Sequence, residues 1–389
     1  MRHHLRRFGA LGLASVTLCF IAACNSSPAA PPPPANANDS GYLATAKSKT
    51  QANYKGTNTM PDTTLRKPTP GKKVVVISGG ESALSSSVPS DAAMAAGKAA
   101  GWDMTLYDQK LNPANGTALI NQALAAGAEG IILDATDCPL AKTALQAAKA
   151  KGVKVVPIYA FDCNDPMFGG GGEALFSGIT NYGAKAKDID LFTQSYGADQ
   201  ADAIIAATDG KAKVILFNDT EFTVLKYTAK GFTDEMAKCS TCSVVATVDF
   251  KAGELGPALQ QKAASILLQH PEANAVKIPY TAAALLGISA AVSASSKASS
   301  LYVMGGEGFG PELDLIRAKK GVSAVNVISS EWVGWSAIDT LNSLFLGQQP
   351  ADSGIGWTLA DAEHNIPPSG DFVPPVDFKA AYKKAWGQS

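Results

Sequence analysis

Carboxylates, hydroxyls, amides and aromatic rings recur just past short β-branched runs of this chain. Glu81 and Ser82 follow Lys73–Ser78, and Tyr159, Phe161 and Asp162 follow the run beginning at Val153. Asn218 and Phe222 follow Lys213–Phe217, Tyr280 follows Ala275–Pro279, and Glu307 follows Leu301–Met304. Such groups accept and donate hydrogen bonds around a ligand's rim, while rings pack its flat apolar faces. No lysine or arginine directly follows these runs, so an anion would have to rely on backbone N–H groups. A neutral, hydroxyl-bearing ligand fits better, and the number of rings suggests either a sugar-like compound or a more apolar, aromatic-rich relative.

The sequence is poor in the parts an enzyme needs. There is no GxSxG or HExxH motif, and of four histidines only His270 and His364 lie beyond the first few residues. The Gly79-Gly80 pair is not followed by the Lys-Ser/Thr of a phosphate cradle. We expect no catalysis, no cofactor and no metal. Cys239 and Cys242 do not open a helix after a strand, as a redox CxxC does, and they lack a partner pair for zinc. A local disulfide is expected there.

These residues need a scaffold that brings the ends of many strands together. From Gly71 the chain alternates short apolar runs with helical stretches, among them a helix capped by Ser90 or Asp91 and closed at Gly101. The alternation starts again at Lys213. Repeated strand–helix units imply α/β architecture, with parallel sheets covered by helices. Two series in 389 residues, 46% of them hydrophobic, imply two lobes. Ligands of such sheets sit beyond the C-terminal ends of the strands.

The segments GKKVVVISGG, AGAEGIILDATD, AAKAKGVKVVPIYAFD, HPEANAVKI and VMGGEG, in this order, resemble those of the type I periplasmic binding proteins. These are the ribose-binding-like solute receptors of ABC importers, and the resemblance runs from about Pro70 to the C-terminus. It implies two Rossmann-like lobes joined by three crossovers and closing like a hinge on the ligand. The crossovers would lie near 177–182, 327–330 and 354–358. The N-terminal lobe would then be 71–178 plus 330–352, and the C-terminal lobe 182–328 plus 355–386. Asn181 and Trp332, past the first and second crossovers, join the candidate binding residues. Asp162 and Glu307 stand where sugar receptors carry aspartates. Cys163 replaces the arginine that follows in ribose-type receptors, which removes a bidentate clamp and argues against a simple pentose. In the sheet order the family implies, Cys138 and Cys163 end neighbouring strands, within reach of a disulfide. A transport receptor is the leading expectation. A sensor of the same fold, signalling to a chemoreceptor or kinase, is the alternative. The partners would be a small molecule and an ABC permease with its ATPase, with no nucleic acid, and the protein a monomer.

The first residues bear on location. Arg2, Arg6 and Arg7 precede an apolar run from about Phe8 to Phe20, too short to span a bilayer and characteristic of a secretory signal. Ile21-Ala22-Ala23-Cys24 resembles a bacterial lipobox, with Cys24 as the lipidated residue. Residues 1–23 are thus expected to be a signal peptide. Residues 24–70 would be a lipidated cysteine, a Pro/Ala-rich linker and an N-terminal extension, holding the protein outside the cytoplasm on a membrane. Three arginines and no acid leave with the signal, taking the formal charge from −1 to −4 and leaving no basic field for nucleic acid.

Overall fold

The computed structural model describes residues 38–183, 186 and 188–388. The signal peptide, Cys24 and the proline-rich stretch lie outside the described residues. The chain enters on α1 (Asn38–Tyr54) and runs extended to β1 (Lys73–Ser78). Then come α2 (Leu84–Ala99), β2 (Asp103–Asp108), α3 (Gly116–Ala125), β3 (Gly130–Asp134), α4 (Cys138–Ala150) and β4 (Lys154–Ile158). The four strands form one parallel sheet in the order β2-β1-β3-β4. Val75, Ile77, Ile131, Leu133 and Val155 face α3 and α4, while Val74, Val76, Ile132 and Val156 face the opposite layer. Burial on both sides explains why these strands read as unbroken apolar runs.

The second series is α5 (Ile189–Ala207), β5 (Lys213–Asp219), α6 (Thr223–Met236), β6 (Ser243–Phe250), α7 (Pro257–Gln269) and β7 (Ala275–Lys277). A helix follows in two pieces, α8 (Thr281–Ala283) and α9 (Ser289–Ala294), joined by a π-type turn. The series closes with β8 (Tyr302–Met304), α10 (Gly310–Arg317) and β9 (Ala324–Ile328). The chain then returns to the first lobe as α11 (Ser330–Phe345), crosses again to β10 (Trp357–Asp361) and ends in α12 (Phe378–Ala385). The second sheet runs β10-β9-β8-β7-β5-β6, parallel except for β10, which is antiparallel to β9. The result is the α/β fold of two parallel-sheet lobes that the alternation implied.

Three local differences have physical causes. α2 begins six residues before Ser90, with Pro89 inside it. Proline has no N–H for the Ser85 carbonyl, and the first turn ahead of it places Ser85 and Ser86 at the cleft. α12, expected in the C-terminal lobe, instead packs on α11 of the first. Trp386 stacks on Trp335 at 5.5 Å and donates to Asp339, and Phe378 stacks on Trp332 at 4.9 Å. The residues before β1 are also built into the fold. Tyr42 bonds Asp202 and Glu235 beside α5, and Tyr54 bonds Asp361. The extended strap that follows pairs its amides at Thr57, Thr59 and Asp62 with the carbonyls of Trp357, Gly354 and Asp352. It then buries Arg66 against Asp339, Nε to Oδ1 2.7 Å. The strap therefore runs from one lobe to the other alongside the last crossover.

Candidate ligand-binding cleft

Between the lobes lies a cavity of about 140 Å³. The first lobe lines it with Ser85 and Ser86 of α2, Leu111, Asp134 and Ala135 at the end of β3, and Tyr159 after β4. Ala135 and Tyr159 both hold a left-handed backbone, φ 53° and 49°. For residues with a side chain this costs of order 1–3 kcal/mol, and it turns the two strand ends into the cleft. The second lobe supplies Phe192, Thr193 and Tyr196 of α5, Phe222, Val224, Leu225 and Thr228 around the start of α6, Leu255, Tyr280, Glu307 and Ile328. The lobes touch across it. Ser85 donates to Glu307 at 2.8 Å, and Tyr227 of α6 donates to Asp165 at 2.7 Å while stacking on Phe161. This is a closed arrangement.

Glu307 is presented by Gly305-Gly306-Glu307-Gly308. A Cβ at Gly306 would lie 2.3 Å from the Thr281 nitrogen, and Gly308 has φ 82°, so both positions need glycine. The loop is organised from beneath by Glu312 of α10, which accepts the amides of Gly306 and Gly308 and the Thr281 hydroxyl. Burial pushes the Glu312 carboxyl up to about 7. Glu307 itself accepts the Thr281 amide at 2.7 Å and keeps capacity toward the cavity. Lys277 of β7 is buried, and burial brings it down to about 8 against the pull of Glu307 and Glu312. Among the described residues no lysine, arginine or histidine lines the cavity.

Asp134 is fully buried. One carboxylate oxygen accepts the Gly79 amide at 3.0 Å, and the other has no partner. Burial raises its pKa to about 7. The Tyr159 hydroxyl has the Ser330 side chain beside it. Unmatched buried polar atoms cost free energy, and in a cleft they mark where a ligand's own groups belong.

Of the residues singled out in the sequence, Tyr159, Phe222, Tyr280 and Glu307 line the cavity. The others do not. Asp162 is spent on structure, accepting the backbone amides of Cys163, Leu175 and Phe176. Phe161 packs in the first-lobe core against Tyr227. Asn181 caps the Gly183 amide beside Asp352 at the first crossover. Asn218 is tied to Asp249 at 3.0 Å. Ser82 is exposed, and Glu81 is not part of the cavity lining, with burial raising its pKa. Trp332 is wholly buried in α11, donating to the Ser353 carbonyl at 2.9 Å, and is core rather than cleft. Asp134, Ser85, Ser86 and Tyr196 were the residues missed. The place of Asp134, last in a buried strand, was the available signal. Cys138 and Cys163 form a disulfide, Cα to Cα 5.0 Å, as do Cys239 and Cys242 at 5.3 Å. Asp162 lies beside the first pair, but joined sulfurs and an aspartate filled with amides leave no ligand set for a metal.

A family model described as the periplasmic binding protein domain matches residues 75–349. No curated protein matches the chain. Among solved structures, a glucose-galactose binding protein from Geobacillus stearothermophilus is 17% identical, with TM-score 0.64, covering 76% of this chain and 99% of its own. An ABC transporter solute binding protein from Mycobacterium smegmatis with bound glycerol is 17% identical, with TM-score 0.63, covering 78% and 100%. A 5-methylthioribose transporter solute binding protein from Thermotoga lettingae is 15% identical, with TM-score 0.61, covering 75% and 84%. At these identities the likeness is one of fold.

Proposed function

The chain belongs to the periplasmic binding protein family, and on that premise we propose that it captures a small neutral, hydroxyl-bearing solute between its lobes and delivers it to an ABC importer. The observation that carries this reading is that Asp134, with one oxygen bare, and Glu307 line one closed cavity to which the described residues bring no cation. Glu307 and the bare oxygen of Asp134 can pair with hydroxyl or N–H groups, and a lining without a cation offers an anion no counter-charge. Affinity would come from lobe closure, which removes ligand and side chains together from water, and no chemical step is required. Sugars and polyols bound by structural neighbours, among them 5-methylthioribose and allitol, support the ligand class. Lipid at Cys24 would hold the receptor at the outer face of the cytoplasmic membrane, where the importer waits. The protein would act as a monomer.

A thermal-shift screen of sugars, polyols and nucleosides tests this. A ligand at 100 times its dissociation constant adds about 2.7 kcal/mol of stability, a shift of several degrees. The reading predicts such a shift with a hydroxylated solute, and its loss in Glu307→Ala. A screen in which only anionic compounds stabilise the protein would overturn it.

A further inference from the structure

The two walls of the cavity do not have the same hydrogen-bonding capacity left. On the second lobe, every hydroxyl that reaches the cavity already donates to the protein. Tyr196 donates to the carbonyls of Gly306 and Asn326, and Tyr280 to Asp219 at 2.8 Å. Thr193 and Thr228 donate to the helix carbonyls of Ile189 and Val224, each at 2.9 Å. The rest of that wall, apart from Glu307, is hydrocarbon, with Val224, Leu225 and Leu255 beside the Phe222 ring. On the first lobe, Asp134 keeps a bare oxygen, the Tyr159 hydroxyl reaches the cavity beside Ser330, and Ser85 ties Glu307 to this same end. The second-lobe hydroxyl oxygens can still accept but have no proton to give, and a ring hydroxylated all round would press hydroxyl groups against Val224, Leu225 and Leu255, where each buried without a partner opposes binding.

We propose that the ligand is amphipathic, a hydroxylated head carrying an alkyl, thioalkyl or aryl substituent, with the head on Asp134, Tyr159 and Glu307 and the substituent against Val224, Leu225 and Leu255. The inference deepens the receptor reading and rests on it. The second lobe then acts as a selector, admitting the substituted compound and disfavouring its fully hydroxylated parent.

Calorimetry on the full chain with ribose, methyl, ethyl and butyl ribosides and 5-methylthioribose tests the idea. Each methylene that reaches the wall should tighten binding roughly fourfold until the cavity is filled. Leu225→Ser and Leu255→Ser should cost the butyl riboside far more affinity than ribose, erasing that gain, with the melting of the ligand-free variants showing that they are folded. Substituted compounds that bind no tighter than ribose would overturn the proposal and leave the receptor reading standing. An equal loss for ribose and its derivatives in the leucine variants would overturn the placement of the substituent. If no compound of either kind binds, the receptor reading falls and this inference with it.

Discussion

The first lobe meets the cavity with polar atoms that still have hydrogen-bonding capacity, whereas the second meets it with hydroxyls whose protons are already held. The difference does not follow from residue type, since both walls carry carboxylates, hydroxyls and rings. It follows from how much of each group the nearby backbone consumes. Asp134 and Asp162 make the point within one sheet. Asp134 ends one of two neighbouring parallel strands and Asp162 lies just beyond the end of the other. Asp162 is taken up by three returning amides, and Asp134 receives one and keeps an oxygen bare. A position after a strand therefore makes a residue available, and the local loop decides whether it braces the cleft or binds in it.

The sharpest way to break this contrast is to remove the brace. Asp162→Ala leaves the amides of Leu175 and Phe176 buried without an acceptor, at about 1–3 kcal/mol each. Urea unfolding should show a loss of about 3 kcal/mol, with ligand affinity of the folded protein unchanged. A large loss of affinity at full stability would move Asp162 into the site.

Asp134→Asn should do the reverse. Ligand affinity should fall roughly 5–150-fold, for about 1–3 kcal/mol of mismatched hydrogen bonding, while the ligand-free protein is at least as stable as the parent. The same variant has a pH signature. Burial raises Asp134 from 3.8 to about 7, so between those values the folded state holds a proton that the unfolded chain has lost. Its contribution is complete at low pH and is lost as the pH rises through about 7. Glu312, raised from 4.5 to about 7, acts with the same sign. Melting of the ligand-free parent should weaken from pH 4 to pH 8 through both groups, and Asp134→Asn should flatten that slope by its own share. An unchanged slope would mean that Asp134 is not the buried acid described.

The smallest effect is expected across the cleft. The Thr228 proton already goes to the Val224 carbonyl, so Thr228→Val should change affinity by less than about threefold. A tenfold loss by calorimetry would show that the second lobe reads hydroxyls after all.

Much of the fold was legible because buried parallel strands advertise themselves as short apolar runs marked off by glycine, closed by Gly79 after Lys73–Ser78 and opened by Gly130 in Gly130–Asp134. α5 was not, because it is wedged between the second sheet, α6 and α1. Its apolar residues lie on several sides and form no single stripe. α1 was hidden for a different reason, its anchors being tyrosine and asparagine bonds to residues 160–307 positions away. The site was legible at Glu307, Tyr159, Phe222 and Tyr280, which keep their strand-end positions. Trp332 misled because its partners, Phe378 and Tyr382, arrive with the last helix. Choosing Asp134 over Asp162 required knowing that residues 175 and 176 fold back onto the latter.

The strap along the last crossover has a consequence for the order of assembly. Each lobe's sheet pairs strands close in sequence, but Thr57, Thr59 and Asp62 pair with residues near 352–357, and Arg66 waits for Asp339. A chain made from its N-terminus therefore carries the first of these segments unmatched until almost everything else has been synthesised. Long-range closure of this kind comes late, because the entropy of joining distant segments must be overcome before their contacts reward it. Early and late segments of the polypeptide fasten the hinge together, so a chain cut short before residue 350 can pair β1 to β9 but has neither β10 nor the buckle between its lobes.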